Sequence, residues 1–159
     1  MKSNVSRFSK IEVTSHHQGQ VLTLTLASGR GNVLDREMIL ELTEAVQSEA
    51  RRPDVKALVF QGKGEHFCYG ASVLEHRRKH AAQMLTGFHN LLRSMIDLSK
   101  PGVALVRGRC LGGGLELAWF LPVDICCRRR QLWPTRDRAG GVPPGRIPHS
   151  ALAGGPTGS

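Results

Sequence analysis

Residues 107–120 read RGRCLGGGLELAWF, and residues 62–76 read GKGEHFCYGASVLEH. Each stretch follows an apolar run, at 103–106 or 57–60, of the kind that forms a buried parallel strand. Each also comes before a segment with helical periodicity. Glycines in such loops permit positive φ angles and close approach of a ligand to the backbone. The two stretches therefore predict two strand-to-helix loops in an α/β protein.

The rest of the pattern extends this βαβ arrangement in both directions. VLTLTL at 21–26 alternates as a half-buried strand does, and Asp35 is a plausible N-cap for an amphipathic helix that ends near Arg52–Pro53. A longer helix is predicted over 74–98, and Gly112–Gly114 open a third. The predicted buried side of the long helix consists of Met84, Leu85, Phe88, Leu91, Leu92, Met95 and Ile96. The order strand, helix, strand, helix, strand, helix favours βαβ units with a parallel sheet.

Composition and charge exclude several classes of function. No apolar run approaches the length of a membrane span, and the start MKSNVSRFSK has no signal-like apolar stretch, so a soluble cytoplasmic protein is expected. The net charge is +9, of which residues 121–159 supply six Lys or Arg against two Asp or Glu. Nucleic-acid binding through this basic segment remains an alternative, but no aromatic platform accompanies the arginines. We expect no nucleic-acid and no membrane partner.

The cysteines and histidines do not predict a metal site. No CxxC spacing occurs, and Cys68 and Cys110 lie in apolar stretches, which indicates buried, reduced thiols. His76 and His80 share a helical face, but no carboxylate ligand set accompanies them.

The two loops suggest a chemistry. The first backbone N–H groups of a helix have no intrahelical partner and carry the positive end of the dipole. Two such groups that converge on one point form an oxyanion hole, and Glu116, three residues after Gly113, can face the same pocket. The alternative is that the triple glycine only makes a tight turn and that Glu116 is a solvated helix residue.

Together, the motifs GRGNVLDREMILEL, KALVFQGKGEHFCYGAS and VRGRCLGGGLELAWF resemble the enoyl-CoA hydratase/isomerase (crotonase) superfamily over about residues 21–120. The resemblance implies the N-terminal part of a crotonase-type ββα spiral fold, within the α/β class. FCYGASVLEH is similar to the cyclohexa-1,5-diene-1-carbonyl-CoA hydratases of anaerobic benzoyl-CoA degradation. The common family version has Ala-Asp after the glycine, where Ala71-Ser72 stands here.

The resemblance also implies roles for individual residues. The N–H groups of Ala71 and Gly113 match the oxyanion-hole donors for a thioester carbonyl, and Glu116 matches the first catalytic glutamate of the hydratases. An acyl-CoA thioester is the implied substrate, with no metal or redox cofactor. Family members form trimer-based homo-oligomers, but the C-terminal segment that builds the trimer interface is expected to be missing here. The residues implied along the CoA path are Asn32, Val33, Leu34, Tyr69, Ala71, Ser72, Val73 and Leu74.

Residues 121–159 do not continue the pattern. They hold six of the eight prolines, and the second family glutamate, in a motif close to GQPEI, is absent. Read one base out of frame, the codons of Trp133–Arg138 can encode GQPEI, and those of AGGVPPGR can encode ALGVFPPAA. We therefore expect an incomplete crotonase-like domain at 1–120, a frameshift near Phe120–Leu121 and an irregular, disordered tail at 121–159. The alternative to a hydratase is a truncated, inactive product of such a gene.

Overall fold

A computed structural model of the protein describes residues 7–72, 81–121, 123–126 and 131–133. The described elements alternate between strands and helices for most of their length. The helices are α1 (Arg36–Gln47), α2 (Ala81–Leu98) and α3 (Gly113–Phe120). The strands are β1 (Ile11–His16), β2 (Val21–Leu26), β3 (Ala57–Gly62), β4 (Gly102–Val106), β5 (Arg109–Leu111), β6 (Val123–Cys126) and β7 (Gln131–Trp133).

Five of the strands form one sheet in the order β1-β2-β3-β4-β6. The pairs from β2 to β6 are parallel, which confirms the predicted βαβ connections, whereas β1 pairs antiparallel with β2. The sequence analysis did not predict β1. A short 3-10 turn, His17–Gly19, joins β1 to β2. Strands β5 and β7 pair in a second, two-stranded sheet.

Strand β2 is more deeply buried than its alternating sequence predicted. Thr23 and Thr25 are each only 6% exposed, so both faces of the strand are covered. The Thr25 hydroxyl remains satisfied because it accepts a hydrogen bond from Gln61 Nε2 at 3.0 Å. Because β2 lies between β1 and β3, both of its threonines are buried, although their polar side chains had suggested a half-exposed strand.

Helix α1 begins as predicted and ends earlier. The Asp35 carboxylate accepts the Met38 N–H at 2.8 Å, which confirms the N-cap, and it pairs with Lys10 Nζ at 2.8 Å. The helix ends at Gln47, five residues before Arg52. Its core-facing side chains are those expected from the apolar spacing: Met38, Ile39, Leu42, Ala45 and Val46.

Helix α2 packs against α1 with most, but not all, of its predicted apolar side. Met84, Phe88, Leu91 and Met95 are buried, and Leu92 packs against the core from a partly buried position. Leu85 and Ile96 are 47% and 60% exposed, so their predicted burial was wrong. The seven apolar side chains of α2 spread around a wider arc of the helix than the arc that neighbouring elements bury. Positions 74–80 of the predicted helix lie outside the described residues.

Two strands lie beyond Phe120, in the segment for which no regular structure was expected. Strand β6 pairs with β4 from Val103–Val123 to Val106–Cys126, and β7 pairs with β5. Strands β6 and β7 therefore lie within residues 121–159, the part of the chain that was expected to be irregular. No helix within the described parts of the chain is long and apolar enough to cross a membrane.

Candidate active site

The two glycine-containing loops lie side by side. They follow β3 and β4, which are neighbours in the sheet, so the fold brings together segments that are about forty residues apart. Cys68 N donates to Arg109 O at 3.2 Å, and Leu111 N donates to Cys68 O at 2.9 Å. These bonds form an isolated parallel bridge between Cys68 and Cys110. The chain just before Ala71 is thereby fixed against the chain just before Gly113.

The backbone of Gly113 lies beside Ala71. A Cβ placed on Gly113 would lie 3.7 Å from Ala71 N and 3.9 Å from Ala71 Cβ. Gly70 adopts φ +97°, which favours glycine, and a Cβ there would lie 2.8 Å from Leu111 O. Glycine at position 70 permits this close approach of the two loops, whereas a Cβ at position 113 would make only ordinary van der Waals contacts.

The N–H groups of Ala71 and Gly113 are both available to a ligand. Leu34, on the segment beside Ala71, forms its backbone hydrogen bonds with the residues on either side of Ala71. Leu34 N donates to Gly70 O, and Ser72 N donates to Leu34 O. Neither Ala71 N nor Gly113 N has a hydrogen-bond partner among the described residues. Gly113 is the first residue of α3, where an N–H group has no intrahelical acceptor. The sequence prediction that these two groups converge is therefore compatible with the geometry.

Glu116 lies in the first turn of α3, on the same helix end as Gly113. Its side chain is exposed, and within the described parts of the chain its carboxylate has no hydrogen-bond or ion-pair partner. Its backbone N–H donates to Gly112 O at 3.1 Å, which fixes the start of the helix. A carboxylate without a partner can accept a proton from a bound molecule.

The residues implied along the CoA path form two adjacent segments. Tyr69 N donates to Gly31 O at 2.8 Å, and the bonds of Leu34 continue the pairing as far as Ser72. Val33, Tyr69, Ala71 and Ser72 are partly exposed, whereas Leu34 is 1% exposed and its Cδ1 would lie 3.5 Å from a Cβ on Gly113. Val73 and Leu74 lie outside the described residues.

The Asn32 side chain is used inside the protein. It is fully buried, and its Nδ2 lies 3.0, 2.9 and 3.2 Å from the carbonyl oxygens of Lys63, His66 and Phe67. Its Oδ1 accepts the Ser28 N–H at 3.3 Å. Any contact between Asn32 and a ligand would thus come from its backbone, which has a positive φ of 46°.

A small aromatic and cationic cluster, formed by His66, Tyr69 and Arg109, lies beside these segments. The His66 and Tyr69 rings are 5.1 Å apart, and the Arg109 guanidinium lies 5.5 Å from the Tyr69 ring centroid. His66 Nδ1 accepts the Arg109 N–H at 3.2 Å. The sequence analysis missed Arg109, since no local pattern links it to Tyr69, forty residues earlier.

Cys68 and Cys110 are buried and unbridged, as predicted. Burial raises the pKa of the Cys68 thiol to about 11, so it is neutral at physiological pH. Within the described residues no group of three or more His, Cys, Asp or Glu side chains is placed to hold a metal ion. His76 and His80 are not among those residues.

The sequence of the chain is similar to those of several known proteins. The chain is 39% identical over 110 residues to cyclohexa-1,5-dienecarbonyl-CoA hydratase of Thauera aromatica, which covers 69% of this chain and 43% of that protein. It is 27% identical over 128 residues to carnitinyl-CoA dehydratase of Salmonella enteritidis, covering 79% of this chain and 49% of the relative. The chain therefore spans less than half the length of these curated relatives.

The fold matches solved structures over a larger share of the chain. The structure of DspI from Pseudomonas aeruginosa superimposes with a TM-score of 0.75 at 25% identity, covering 84% of this chain and 56% of that one. The family model described as enoyl-CoA hydratase/isomerase matches residues 16–147, which include both loops and α3. With the sheet, the paired loops and the family match in agreement, the chain belongs to the enoyl-CoA hydratase/isomerase family.

Proposed function

We propose that the site supports hydratase-type lyase chemistry, the addition of water to an enoyl-CoA or cyclic dienoyl-CoA thioester. The observation that carries the proposal is the pair of N–H groups at Ala71 and Gly113, which lie on adjacent segments and have no hydrogen-bond partner among the described residues. Family membership supports a CoA thioester as the substrate class. The 39% identity to a cyclohexa-1,5-dienecarbonyl-CoA hydratase favours a cyclic dienoyl group, and hence a place in benzoyl-CoA degradation.

In this mechanism the thioester carbonyl oxygen accepts hydrogen bonds from both N–H groups. Attack of water on the β-carbon moves an electron pair toward that oxygen and generates an enolate. The two donors stabilise this developing charge more than they stabilise the ground state, and one such donor typically contributes about 3–4 kcal/mol. The two N–H groups then act as an oxyanion hole.

Glu116 is the acid/base group of the proposal. Its carboxylate takes a proton from the attacking water as the C–O bond forms, and the protonated Glu116 then gives that proton to the α-carbon of the enolate, which regenerates the carboxylate. One water is added overall, and no metal or redox cofactor is required. The partner-free carboxylate one helical turn from Gly113 supports this assignment.

The remaining substrate contacts follow from the two adjacent segments. The pantetheine part of CoA would be bound by the backbone of Asn32 and Val33 on one side and by Tyr69 and Ser72 on the other. The exposed Arg109 guanidinium, over the Tyr69 ring, suits a phosphate of the same substrate. A cytoplasmic location belongs to the same proposal.

The test is hydration of crotonyl-CoA and of cyclohexa-1,5-dienecarbonyl-CoA, followed by loss of absorbance of the conjugated thioester. Glu116→Gln is expected to reduce the rate on the order of 10²–10⁴-fold with little change in thioester affinity. Glu65→Gln is the matched control, because Glu65 is also exposed and without a partner among the described residues. Equal activity of Glu116→Gln and the control would contradict the assignment.

A truncated, inactive product is the second candidate. Glu116 is the last glutamate of the chain, and its carboxylate is exposed and without a second carboxylate partner among the residues described. Restoring the shifted reading frame at GQPEI would supply a second glutamate. Activity that appears only in the frame-restored protein, while the present chain still binds CoA thioesters, would establish this alternative.

A further inference from the structure

We infer that Cys68 is a positioning residue that sets the separation between the Ala71 and Gly113 N–H groups. The inference rests on the proposed function of that pair. Cys68 is fully buried and lies between the two loops that supply the donors. It touches neither a substrate nor the reacting atoms, so any effect on chemistry has to act through the two loops.

The thiol holds the first loop directly. Gly70 N donates to Cys68 Sγ at 3.3 Å, and Gly70 is the residue immediately before Ala71. This bond fixes the Cys68–Gly70 turn, in which Gly70 has a φ of +97°. The bond holds the Tyr69–Gly70 peptide plane, while Leu34 N, which donates to Gly70 O at 2.9 Å, holds the next plane, which carries the Ala71 N–H. Without the thiol acceptor the first plane can rotate, and the direction of the Ala71 N–H changes through the φ and ψ angles of Gly70.

The same side chain also limits how closely α3 can approach. A Cβ added to Gly114 would lie 2.6 Å from Cys68 Cβ and 2.8 Å from its Sγ. The backbone of the first turn of α3 is therefore already in contact with the cysteine. Since Gly113 and Gly114 are consecutive, the thiol acts as a spacer between the helix end and the loop that carries Ala71.

The chemistry of a buried thiol suits this role. A pKa of about 11 keeps the Cys68 thiol protonated and neutral at physiological pH. It therefore does not compete, as a thiolate would, with the substrate oxygen for the N–H groups of Ala71 and Gly113. A charged side chain in the same place would interact with the developing enolate. The thiol accepts the Gly70 N–H and fills the space beside Gly114 without adding a charge.

The test compares Cys68→Ala and Cys68→Ser with the control Cys110→Ala. Cys110 is equally buried and faces Cys68 across the parallel bridge, so its truncation removes the same atoms from the same layer. The probe is cinnamoyl-CoA, a conjugated thioester whose absorption moves to longer wavelength when its carbonyl is polarised. Its affinity for each variant is measured in the same titration.

Cys68→Ala is expected to lose at least half of the absorption shift of the bound probe, with an affinity change on the order of threefold or less. Hydration is expected to fall on the order of 10–100-fold, the cost of a misplaced group. Cys68→Ser should restore most of the shift, since its hydroxyl also accepts the Gly70 N–H. Cys110→Ala should retain the full shift. A full shift with Cys68→Ala, or an equal loss with Cys110→Ala, would overturn the inference.

A second measurement is independent of the substrate. In the ligand-free chain, the amide NMR resonances of Gly70, Ala71 and Gly113 are expected to move in Cys68→Ala and to stay in place in Cys110→Ala. If Cys68→Ala does not fold, Gly114→Ala tests the same contact from the helix side and should move the same resonances. Unmoved resonances would refute the positioning role, whereas moved resonances with no binding of cinnamoyl-CoA by the unmodified chain would refute the proposed function alone.

Discussion

Asn32 is the residue on which the geometry of the first loop depends most directly. One buried amide binds three carbonyl oxygens of residues 63–67, in a backbone conformation with a positive φ that asparagine tolerates better than most residues. The bond to Phe67 O is buried and those to Lys63 O and His66 O are part-buried, so the Phe67 carbonyl depends most on this side chain.

Truncation of Asn32 is therefore expected to be costly. Asn32→Ala should lower the free energy of unfolding by about 2–4 kcal/mol, because the buried Phe67 carbonyl loses its donor at roughly 1–3 kcal/mol and the two part-buried carbonyls lose theirs at a smaller cost. Chemical denaturation of both proteins measures the difference. Asn90→Ala, at an exposed position on α2, serves as the control and should change stability by less than about 0.5 kcal/mol. An equal effect of the two substitutions would contradict the role assigned to Asn32.

Cys68 makes a contribution to stability that depends on pH. Its pKa is raised by burial from 9.0 to about 11, so between these values the folded state holds a proton that the unfolded state releases. Stability is therefore unaffected below pH 9 and falls as the pH rises from 9 to 11, by about 2–3 kcal/mol at most. The measurement is the free energy of unfolding against pH for the unmodified chain and for Cys68→Ser. Lysines titrate in both proteins, so only the difference between the two stability curves reports on Cys68. Parallel curves for the unmodified chain and Cys68→Ser would contradict the prediction.

At the scale of elements, the start of α1 combines a cap and an ion pair in one side chain. Asp35 accepts the Met38 N–H and pairs with Lys10, whose pKa is raised mainly by the hydrogen bond to Asp35. The same helix holds the chain before β1, because the Glu41 carboxylate accepts the N–H groups of Ser9, Lys10 and Ile11. Helix α1 and the first strand are thus joined through polar contacts at both positions.

The two roles of Asp35 can be separated by substitution. Asp35→Ala should lower stability by about 1–2 kcal/mol, whereas Asp35→Asn, which keeps a capping oxygen and loses the charge, should cost less than about 1 kcal/mol. Thermal unfolding of the three proteins at low and at high salt provides the measurement. Equal losses in both variants would show that the ion pair, and not the cap, stabilises the helix start.

The elements that the sequence predicted best were those specified by local signals. The capping aspartate, the apolar spacing of α1 and the glycines before α3 each act over a few residues, so the positions of these elements followed from the sequence. Strand β1 and the exposure of Leu85 and Ile96 were missed because they depend on what lies next to each element in space. The buried amide of Asn32 and the contact of Arg109 with Tyr69 join distant residues, and no local pattern records them.

At the scale of the whole molecule, the sheet continues beyond the change in composition at Phe120. Strand β6 pairs with β4 in a regular parallel register, so residues 123–126 fit the fold as they stand. The change of reading frame near Phe120–Leu121, which was expected from the composition and from the GQPEI motif in the shifted frame, stays a prediction. The nucleotide sequence across codons 118–140 is the measurement. An uninterrupted frame, with no family motif in the shifted one, would contradict the frameshift altogether.

Apolar exposure of the molecule has a consequence for its behaviour in solution. Trp119 is 69% exposed at the end of α3, together with Ile96 and Leu85 on α2. Trp119→Gln is expected to reduce concentration-dependent association while leaving the thermal transition within a few degrees, because an exposed side chain contributes little to the core. Light scattering over a concentration series measures this, and Leu40→Gln, at another exposed apolar position, shows whether the effect is specific to Trp119.

The order of strands in the five-stranded sheet follows their order along the chain, with β5 and β7 paired in a separate sheet. During synthesis on the ribosome, each new strand therefore finds its neighbour already present, and none has to be inserted between two strands that have paired. The sheet can grow one strand at a time at a single edge, as the chain emerges. The Cys68–Cys110 bridge can close once the second glycine loop has been made, which places completion of the two donor loops late in assembly.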